Sequence, residues 1–354
     1  MLDAALSDRD NLLRAIEFRT PDWVPLEFDL LEAVVWAHGA SIVQMMQRHP
    51  GVFAPGRVEW AASCLERGRP GPRRFVDDWG CEWAELQPGM VGQVVGHPLA
   101  AGWAGLDRLQ VPDPARQWDW DEVRRTTAAA RGRGELTHGH MGIIQGSFFD
   151  RLQFLRGLDN LLIDFAERPP ELGRLTELVL DYNLRLINLW LEVGVDVIHF
   201  HGDMATQRGT MMSPQAFREF LKPAYATMFQ ACRRAGSHVH HSCDGNLLQI
   251  VDDLIECGVS YHDPQMGACS LDEIAGAYRG KLCALVDLDE QRLPTCTPGQ
   301  IHDQVRSIVA QVGLPEGGLL LYACPSPDVP LQNIEAICDA WEWFCAPGRL
   351  PWSA

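Results

Sequence analysis

The segment HVHHSCDGN, residues 238–246, places three histidines and a cysteine at the end of a predicted strand. Side chains two positions apart on a strand lie on the same face, so we expect His241 and Cys243 to project together. A neutral imidazole and a thiolate are preferred zinc ligands. The alternative is that the cysteine is a buried apolar side chain and the histidine a satisfied core residue. His238 and His240 have the opposite parity, which predicts that they pack outward against helices.

Cys324 and Asp263 are the candidates that would complete a zinc site. Cys324 stands in YACPSPDVP, where Pro325 predicts the end of a strand. With this third ligand, zinc would keep an open position. Asp263 ends the strand after His241 and is a possible fourth ligand, the alternative being a hydrogen-bonding carboxylate at the rim. The cysteines in helical patterns are interpreted as core residues: Cys64, Cys232, Cys257, Cys338 and Cys345.

Eight apolar or β-branched runs alternate with helical patterns and are the predicted strands. They cover Trp23–Asp29, Arg73–Gly80, Glu135–Gly142, Val195–Asp203, His238–Cys243, Val259–Pro264, Leu282–Asp289 and Leu319–Pro325. This alternation predicts an α/β fold, a closed (β/α)8 TIM barrel, as one domain over residues 1–354. Most of the runs end in polar residues, which places the chemistry at the C-terminal ends of the strands. The connections 30–72 and 81–134 are long, and QPGMVGQVVGHPLAAGW in the second predicts an insertion or hairpin over the rim.

Composition excludes several classes of partner. The formal net charge of -17 argues against a nucleic acid, which requires a basic surface. No apolar run approaches the roughly 20 residues of a membrane helix, and the N-terminus lacks the pattern of a signal peptide. The eleven cysteines lack the spacing of a disulfide framework, so we expect a cytoplasmic protein with reduced thiols. The oligomeric state is open, with a homodimer as one possibility.

Several segments together resemble the uroporphyrinogen decarboxylase superfamily and, within it, the cobalamin-linked methyltransferases. They include RDNLLRAIEFRTPDWVPLEF, DDWGCEW, GSFFDRLQFLRGLDNLLIDF, GDMATQRGTMMSPQAFREFLKP, HHSCDGNLLQIVDDLIECGV and YACPSPDVPLQNIEAI. A His-x-Cys pair with a late cysteine is typical of the zinc methyltransferase branch, and this chain has both. One departure is that Asp244 stands where the family usually has the glycine that follows the cysteine.

The resemblance implies a zinc-dependent methyl transfer that involves a corrinoid. We expect the methyl group to move from a small methoxylated compound, with an aromatic one favoured, to the cobalt of a separate corrinoid protein. No Asp-x-His-x-x-Gly segment for binding cobalamin occurs in the chain itself. The reverse direction, from a methyl-corrinoid to a thiol, is the first alternative, and a non-catalytic barrel that binds a metal or ligand is another. Uroporphyrinogen decarboxylation is disfavoured because the first strand carries Glu27, Asp29 and Glu32 instead of the arginines that a polycarboxylate needs.

Further residues receive roles within this interpretation. Asp203 is the candidate general acid or the group that orients the leaving oxygen, the alternative being a cap on the following helix. His140 is a second candidate donor. The predicted substrate contacts are Phe148, Phe149, Trp79, Asp77, His201 and Gln207, of which the aromatic residues would form walls.

Overall fold

The computed structural model describes residues 7–90, 92–142, 146–346 and 348–350. The strands in these residues are β1 (Leu26–Phe28), β2 (Arg73–Val76), β3 (Glu82–Glu85), β4 (Gln93–Gly96), β5 (His138–His140), β6 (Val197–His201), β7 (Ala205–Thr206), β8 (Gly209–Thr210), β9 (His238–Ser242), β10 (Tyr261–His262), β11 (Cys283–Asp287) and β12 (Leu319–Ala323).

The α-helices are α1 (Asp8–Ile16), α2 (Glu32–His38), α3 (Ala40–Arg48), α4 (Pro55–Arg67), α5 (Trp120–Gly132), α6 (Phe148–Arg156), α7 (Leu158–Glu167), α8 (Pro170–Val193), α9 (Pro214–Ala216), α10 (Lys222–Arg234), α11 (Val251–Cys257), α12 (Leu271–Tyr278), α13 (Pro298–Val312) and α14 (Leu331–Phe344). A π-helical segment, Phe217–Leu221, joins α9 to α10. Pro223 lies just after this segment and lacks the N–H that a regular helix would use there.

One compact unit comprises the chain up to residue 10 together with residues 74–84 and 93–262. It contains four adjacent parallel strands in the order β5, β6, β9, β10. Helix α8 ends at Gly194, which adopts a left-handed conformation with φ of 79°. Helix α10 connects β6 to β9, and Phe229 on this helix packs on Phe200 of β6 with ring centroids 4.8 Å apart.

The second unit comprises residues 11–73, 85–92 and the chain from 263 onward. Its parallel strands lie in the order β1, β12, β11, with Leu321 of β12 opposite Leu26 and Val286. The C-terminal helix α14 is tied to the segment before β1, because Trp341 Nε1 donates a hydrogen bond of 2.7 Å to the carbonyl of Val24.

Local sequence explains where several helices begin. The Ser213 hydroxyl accepts a hydrogen bond from the Ala216 N–H and caps α9, as its position before Pro214 predicts. Ser270 with Glu273, and Thr297 with Gln300, form capping boxes at α12 and α13.

The predicted second barrel strand, Arg73–Gly80, needs correction. Only Arg73–Val76 is extended, and this strand belongs to a separate three-stranded sheet of order β2, β3, β4. In that sheet β3 and β4 pair antiparallel, with Trp83 opposite Val94. The hairpin expected in the long second connection is therefore present as β3 and β4. Strand β2, which the sequence assigned to the barrel, pairs with β3 of this hairpin instead. The other seven predicted strands are found with ends no more than three residues from those expected.

Among the described residues, no helix combines the length and the apolar character needed to span a membrane.

Candidate functional site

Strand register in the first unit separates two rows of side chains. His140 lies opposite His199, and His199 lies opposite His240, so these three imidazoles share one face. His241 lies opposite Phe200 and occupies the other face. Since Phe200 packs on α10, the face that carries His241 is the one turned toward the helices.

The predicted orientation is therefore reversed for His240 and His241, whereas His238 does contact α10, with its Nδ1 2.8 Å from Nη1 of Arg233. His241 lies against α10, with its ring 6.0 Å from Phe229 and 5.7 Å from Tyr225. His240, which was expected to pack against helices, instead stacks on Tyr261 at 4.2 Å. The alternation itself holds, because neighbouring residues do face opposite ways. The face that meets the helices is decided by residues far away in sequence.

An imidazole cluster occupies the face opposite α10. The Nδ1 atoms of His199 and His240 lie 2.8 Å apart, and the rings of His140 and His199 are 5.5 Å apart. Burial lowers the pKa of His199 and of His240 well below the usual value, and the neighbouring histidines lower both further. These two imidazoles are therefore neutral near pH 7, and one donates to the other.

His241 and Cys243 are buried donors that share a neighbour. His241 has no exposed surface, and neither of its ring nitrogens has a hydrogen-bond partner within the described part of the chain. Cys243 is 1% exposed, and its Sγ accepts a 3.4 Å hydrogen bond from the backbone N–H of Met204. Both residues lie near Tyr225. The ring of His241 contacts the ring of Tyr225, and the pKa of the Tyr225 hydroxyl is raised by burial, by Asp150 and by Cys243, in that order. A buried imidazole without a partner and a buried thiol are both donors that zinc prefers. Among the described residues, neither belongs to a group of three such ligands with atoms within 4.8 Å of one another.

A carboxylate–imidazole–carboxylate chain lies at the end of β6. Asp150 is 1% exposed, and its Oδ2 lies 3.0 Å from Nδ1 of His201. The backbone N–H of Asp203 and the side chain of Gln153 both donate to Oδ1 of Asp150, at 2.9 and 2.8 Å. Nε2 of His201 lies 3.7 Å from Oδ1 of Asp203. Asp150 thus fixes the tautomer of His201 and directs its Nε2 toward Asp203.

Asp203 does not cap the following helix, which was the alternative to a chemical role. Its Oδ1 accepts a 2.9 Å hydrogen bond from the backbone N–H of Asp244, the residue after Cys243, and Ser213 provides the helix cap. Burial raises the pKa of Asp203, Asp150 raises it further, and His201 opposes the rise. A raised pKa keeps a proton on this carboxyl to higher pH, which suits a general acid.

Two adjacent cavities lie beside the carboxylate–imidazole–carboxylate series of Asp150, His201 and Asp203. One, of about 220 Å³, is lined by His140, Met141, Gly142, Gly146, Ser147, His199 and His201. The other, of about 180 Å³, shares Met141, Gly142 and Gly146 with the first and is also lined by Phe75, Asp77, Asp78, Trp79, Gln117, Arg151 and Tyr182. The predicted residues His140, His201, Trp79 and Asp77 are therefore brought to one connected region of the first unit.

Asp77 has a structural role within this region. Its Oδ1 accepts from the backbone N–H groups of Trp79 and Cys81, at 3.0 and 2.8 Å. Its Oδ2 accepts from Trp83 Nε1 at 3.1 Å and from the Arg151 guanidinium at 2.8 Å. These four bonds hold the turn after β2 in place, so Asp77 shapes the cavity wall.

Three predicted substrate contacts lie elsewhere. Phe148 and Phe149 have no exposed surface, and Phe148 packs edge-on against Tyr225. Both are core residues of α6, because the first turn of this helix faces inward. Gln207 is exposed in the turn between β7 and β8.

The second unit carries an acidic group of residues around β1. Burial, together with the charges of Asp29 and Asp263, raises the pKa of Glu27 to about 8. Tyr322 donates a 3.1 Å hydrogen bond to Asp29. Burial raises the pKa of Cys324 to about 12, with Glu290 and Asp29 adding to the effect. Glu27 is therefore mostly protonated near pH 7, and Cys324 requires a nearby cation to become a thiolate.

Comparison with known proteins identifies the family. Residues 85–343 match the family model of uroporphyrinogen decarboxylase (URO-D). The chain belongs to the uroporphyrinogen decarboxylase family. This confirms the superfamily that the sequence motifs indicated.

Solved structures establish the fold of this family member. A methyltransferase from Methanosarcina mazei is similar over 95% of this chain and 98% of its own, with 18% identity and a TM-score of 0.68. At this identity the likeness is one of fold, and it confirms the predicted α/β barrel class. A D-psicose 3-epimerase solved in the presence of D-fructose is similar over 66% of this chain and 86% of its own, at 8% identity and a TM-score of 0.42. No curated protein matches the chain.

Asp150 is the residue of this decarboxylase-family site that sequence reasoning missed. It lies in the first turn of α6, where an acidic residue is expected for the helix dipole alone. Its partner His201 is 51 residues away, so no local spacing connects them. The available signal was the pairing of β5 with β6, which brings the start of α6 to the end of β6.

Proposed function

We propose that the protein is a zinc-dependent methyltransferase that moves a methyl group from a small methoxylated aromatic compound to the cobalt of a separate corrinoid protein. The observation that carries the proposal is the buried pair His241 and Cys243, in which the imidazole nitrogens have no partner among the described residues. The similarity of fold to a methyltransferase supports the same reaction type.

The residues present have the donor chemistry that zinc requires. His241, Cys243 and Cys324 would supply one imidazole and two thiolates, with Asp263 as a further oxygen donor. Zinc held in this way acts as a Lewis acid that stabilises negative charge on the oxygen of the departing group. The high pKa of Cys324, about 12, is consistent with a thiol that ionises when a cation binds.

The protein's own groups would manage the proton. When the methyl–oxygen bond breaks, the oxygen keeps the bonding electron pair and requires a proton. Asp203, with its raised pKa, would provide it. A proton taken up from solvent at Nε2 of His201 would then pass to Asp203 across the 3.7 Å gap. Asp150 would act as the positioning residue, since it holds Nδ1 of His201 and leaves Nε2 for the exchange.

The two connected cavities would bind the aromatic donor. Trp79 offers an indole face, and the Arg151 guanidinium lies 5.2 Å from the centre of that ring. Gly142 and Gly146 line both cavities. A compact aromatic ring suits this space better than a porphyrinogen does.

The test supplies the purified protein with a reduced corrinoid protein and a panel of methoxylated aromatics. We expect conversion of Co(I) to methyl-Co(III) in the visible spectrum, and loss of this conversion after zinc removal. Consumption of methyl-Co(III) on adding a thiol, with no reaction from methoxylated donors, would reverse the direction. No reaction in either direction would favour the non-catalytic barrel.

Uroporphyrinogen is the control substrate in this test. The acidic residues near β1 repel it less than the sequence suggests, because Glu27 is mostly neutral near pH 7 and Asp29 lies 3.7 Å from Arg57. We still expect no decarboxylation. Release of carbon dioxide from uroporphyrinogen would contradict the methyltransferase assignment.

A further inference from the structure

Arg151 is a buried cation in the wall of the second cavity, and the protein uses only one side of its guanidinium. The residue is 7% exposed and lines the cavity of about 180 Å³. Within the described part of the chain its hydrogen bonds all start from Nη1, which lies 2.8 Å from Asp77 Oδ2 and 3.9 Å from Cys81 Sγ. Nε and Nη2 have no acceptor there, and neither is among the enclosed polar atoms that lack a partner. Their N–H groups therefore open to the cavity.

The surroundings hold this guanidinium in one place. Its central carbon lies 5.2 Å from the ring centre of Trp79 and 5.6 Å from that of Phe154, distances at which an aromatic ring attracts a cation. Its partner Asp77 is itself fixed by N–H groups of Trp79, Cys81 and Trp83. A guanidinium that is positioned before a ligand arrives loses little freedom on binding, so its open N–H groups are suited to recognise a ligand oxygen.

Tyr182 of α8 provides a second donor in the same wall. The residue is 4% exposed, and its ring packs edge-on against Trp79 at 4.8 Å. Burial raises the pKa of the Tyr182 hydroxyl to about 12, although Arg151 and Gln117 oppose the rise, so the hydroxyl keeps its proton. Gln117 also lines the cavity, and its Oε1 is an acceptor without a partner among the described residues. The wall thus combines donors on Arg151 and Tyr182 with an acceptor on Gln117.

Charge and hydrogen bonding together indicate which ligand group fits this wall. Arg151 is the only basic residue among the described residues of the lining, and Asp77 already neutralises it. Asp78 adds a second carboxylate to the lining. A ligand carboxylate would bring a further negative charge without a free cation to receive it, so a neutral group is favoured. A phenolic hydroxyl is neutral near pH 7, accepts from a guanidinium and donates to an amide oxygen.

The relation between the two cavities indicates where this hydroxyl lies on the ring. The first cavity is lined by His201, which the proposed function places next to the acid that protonates the departing oxygen. Met141, Gly142 and Gly146 line both cavities and form their shared boundary. A single aromatic ring that crosses this boundary presents its methoxy group to His201 and its opposite edge to Arg151.

We propose that Arg151 and Tyr182 select methyl donors that carry a hydroxyl group across the ring from the methoxy group, as 4-methoxyphenol does. This inference rests on the proposed function, because it names which methoxylated aromatics the two cavities accept. Arg151 and Tyr182 donate to the hydroxyl oxygen, and Gln117 accepts the hydrogen bond that the hydroxyl donates. A ring without this hydroxyl leaves the buried polar groups unpaired and binds more weakly.

Equilibrium binding tests the inference without cobalt and without turnover. The purified full chain is titrated with 4-methoxyphenol, methoxybenzene, 2-methoxyphenol and 4-methoxybenzoate, and each Kd is measured by calorimetry. We expect 4-methoxyphenol to bind about 10- to 100-fold more tightly than methoxybenzene, the usual effect of a hydrogen bond to a charged group. The other two compounds should also bind more weakly than 4-methoxyphenol.

Tyr182→Phe and Arg151→Lys separate the contacts to the hydroxyl from the packing of the wall. Phenylalanine keeps the aromatic ring, and lysine keeps a positive charge for Asp77 but lacks the fork of N–H groups. Each variant should reduce the preference for 4-methoxyphenol over methoxybenzene by about 5-fold or more, with little change in the Kd of methoxybenzene itself. Circular dichroism and thermal midpoints check that each variant is folded.

Arg156→Lys is the matched control. Arg156 is a buried arginine of the same helix that pairs with Asp164 and is absent from the described lining of both cavities. This variant should keep the preference of the parent protein for 4-methoxyphenol.

Three results would overturn the inference: equal Kd values for 4-methoxyphenol and methoxybenzene, an unchanged preference in both Tyr182→Phe and Arg151→Lys, or tighter binding of 4-methoxybenzoate. The proposed function is judged separately. A preference for 4-methoxyphenol without methyl transfer to Co(I) would reject the proposed reaction and support recognition of the hydroxyl. Methyl transfer from methoxybenzene and 4-methoxyphenol with equal affinities would support the reaction and reject this inference.

Discussion

Asp150 and His201 form a buried carboxylate–imidazole pair, with 3.0 Å between Oδ2 and Nδ1. The pair joins α6 to the end of β6, and Asp150 also accepts from the Asp203 N–H. A single buried carboxylate therefore fixes the positions of both groups proposed to handle the proton.

Asp150→Asn should lower the rate of methyl transfer by roughly 10- to 100-fold, the usual effect of removing an orienting partner. The amide can donate to Nδ1 and would favour the wrong tautomer of His201. The pH dependence of kcat should change while KM stays nearly constant, which a purely structural role would not produce. Asp159→Asn, an exposed acid at the start of α7, is the control and should leave both parameters unchanged.

Asp203→Asn should lower the rate by roughly 10²–10⁴ if Asp203 is the general acid. The amide keeps the bond from the Asp244 N–H but cannot release a proton. Donors with better leaving groups should be affected less, because their oxygen needs less help from an acid. An equal loss across a series of leaving groups would show that Asp203 acts only by positioning.

Zinc content should depend on His241, Cys243 and Cys324. We expect His241→Ala, Cys243→Ser and Cys324→Ser each to remove zinc from the thiol-containing site, measured by metal analysis after dialysis. Cys232→Ser and Cys345→Ser are matched controls, since both thiols are buried in other parts of the structure. Full zinc in the Cys324→Ser protein would remove that residue from the site.

The sequence predicts the order of most strands and the residue types at their ends, but it does not predict which face of β9 meets a helix. Alternation says only that His240 and His241 point in opposite directions. The choice depends on Phe229 and Tyr225 of α10, whose packing cannot be read from the strand. Likewise, Arg73–Val76 has a strand-like composition in either sheet, and its membership in the antiparallel sheet is decided by β3 and β4, which follow later in the chain.

Phe149→Ala should destabilise the fold without a selective effect on substrate binding. Truncating a wholly buried phenylalanine typically costs about 3–5 kcal/mol in the free energy of unfolding, which urea titration would measure. Trp79→Leu is the contrasting variant, because Trp79 lines a cavity and stacks edge-on with Tyr182 at 4.8 Å. We expect it to raise KM about 10-fold, equivalent to about 1.4 kcal/mol. A larger rise in KM for Phe149→Ala would restore its predicted role as a substrate wall.

Acid should destabilise the first unit well above the pH at which carboxylates titrate. Burial lowers the pKa of His138 to about 4, with His140 adding to the effect, and burial lowers the pKa of His262 to about 3. The pKa values of His199, His240 and His241 are lowered as well, mainly by burial.

Because these folded-state pKa values lie below the unfolded value near 6.5, the unfolded chain binds protons first as the pH falls. The stabilisation is fully present above about pH 6.5 and is lost progressively toward pH 4. For His138 alone the loss should be on the order of 1–3 kcal/mol, since its side chain keeps some contact with solvent. Urea unfolding at pH 8 and at pH 5 would measure it. Because glutamine does not titrate, His138→Gln should remove the contribution of this residue to the pH dependence, so the free energy of unfolding should change less between pH 8 and pH 5 than in the parent protein. A pH dependence equal to that of the parent protein would contradict this account of the cluster.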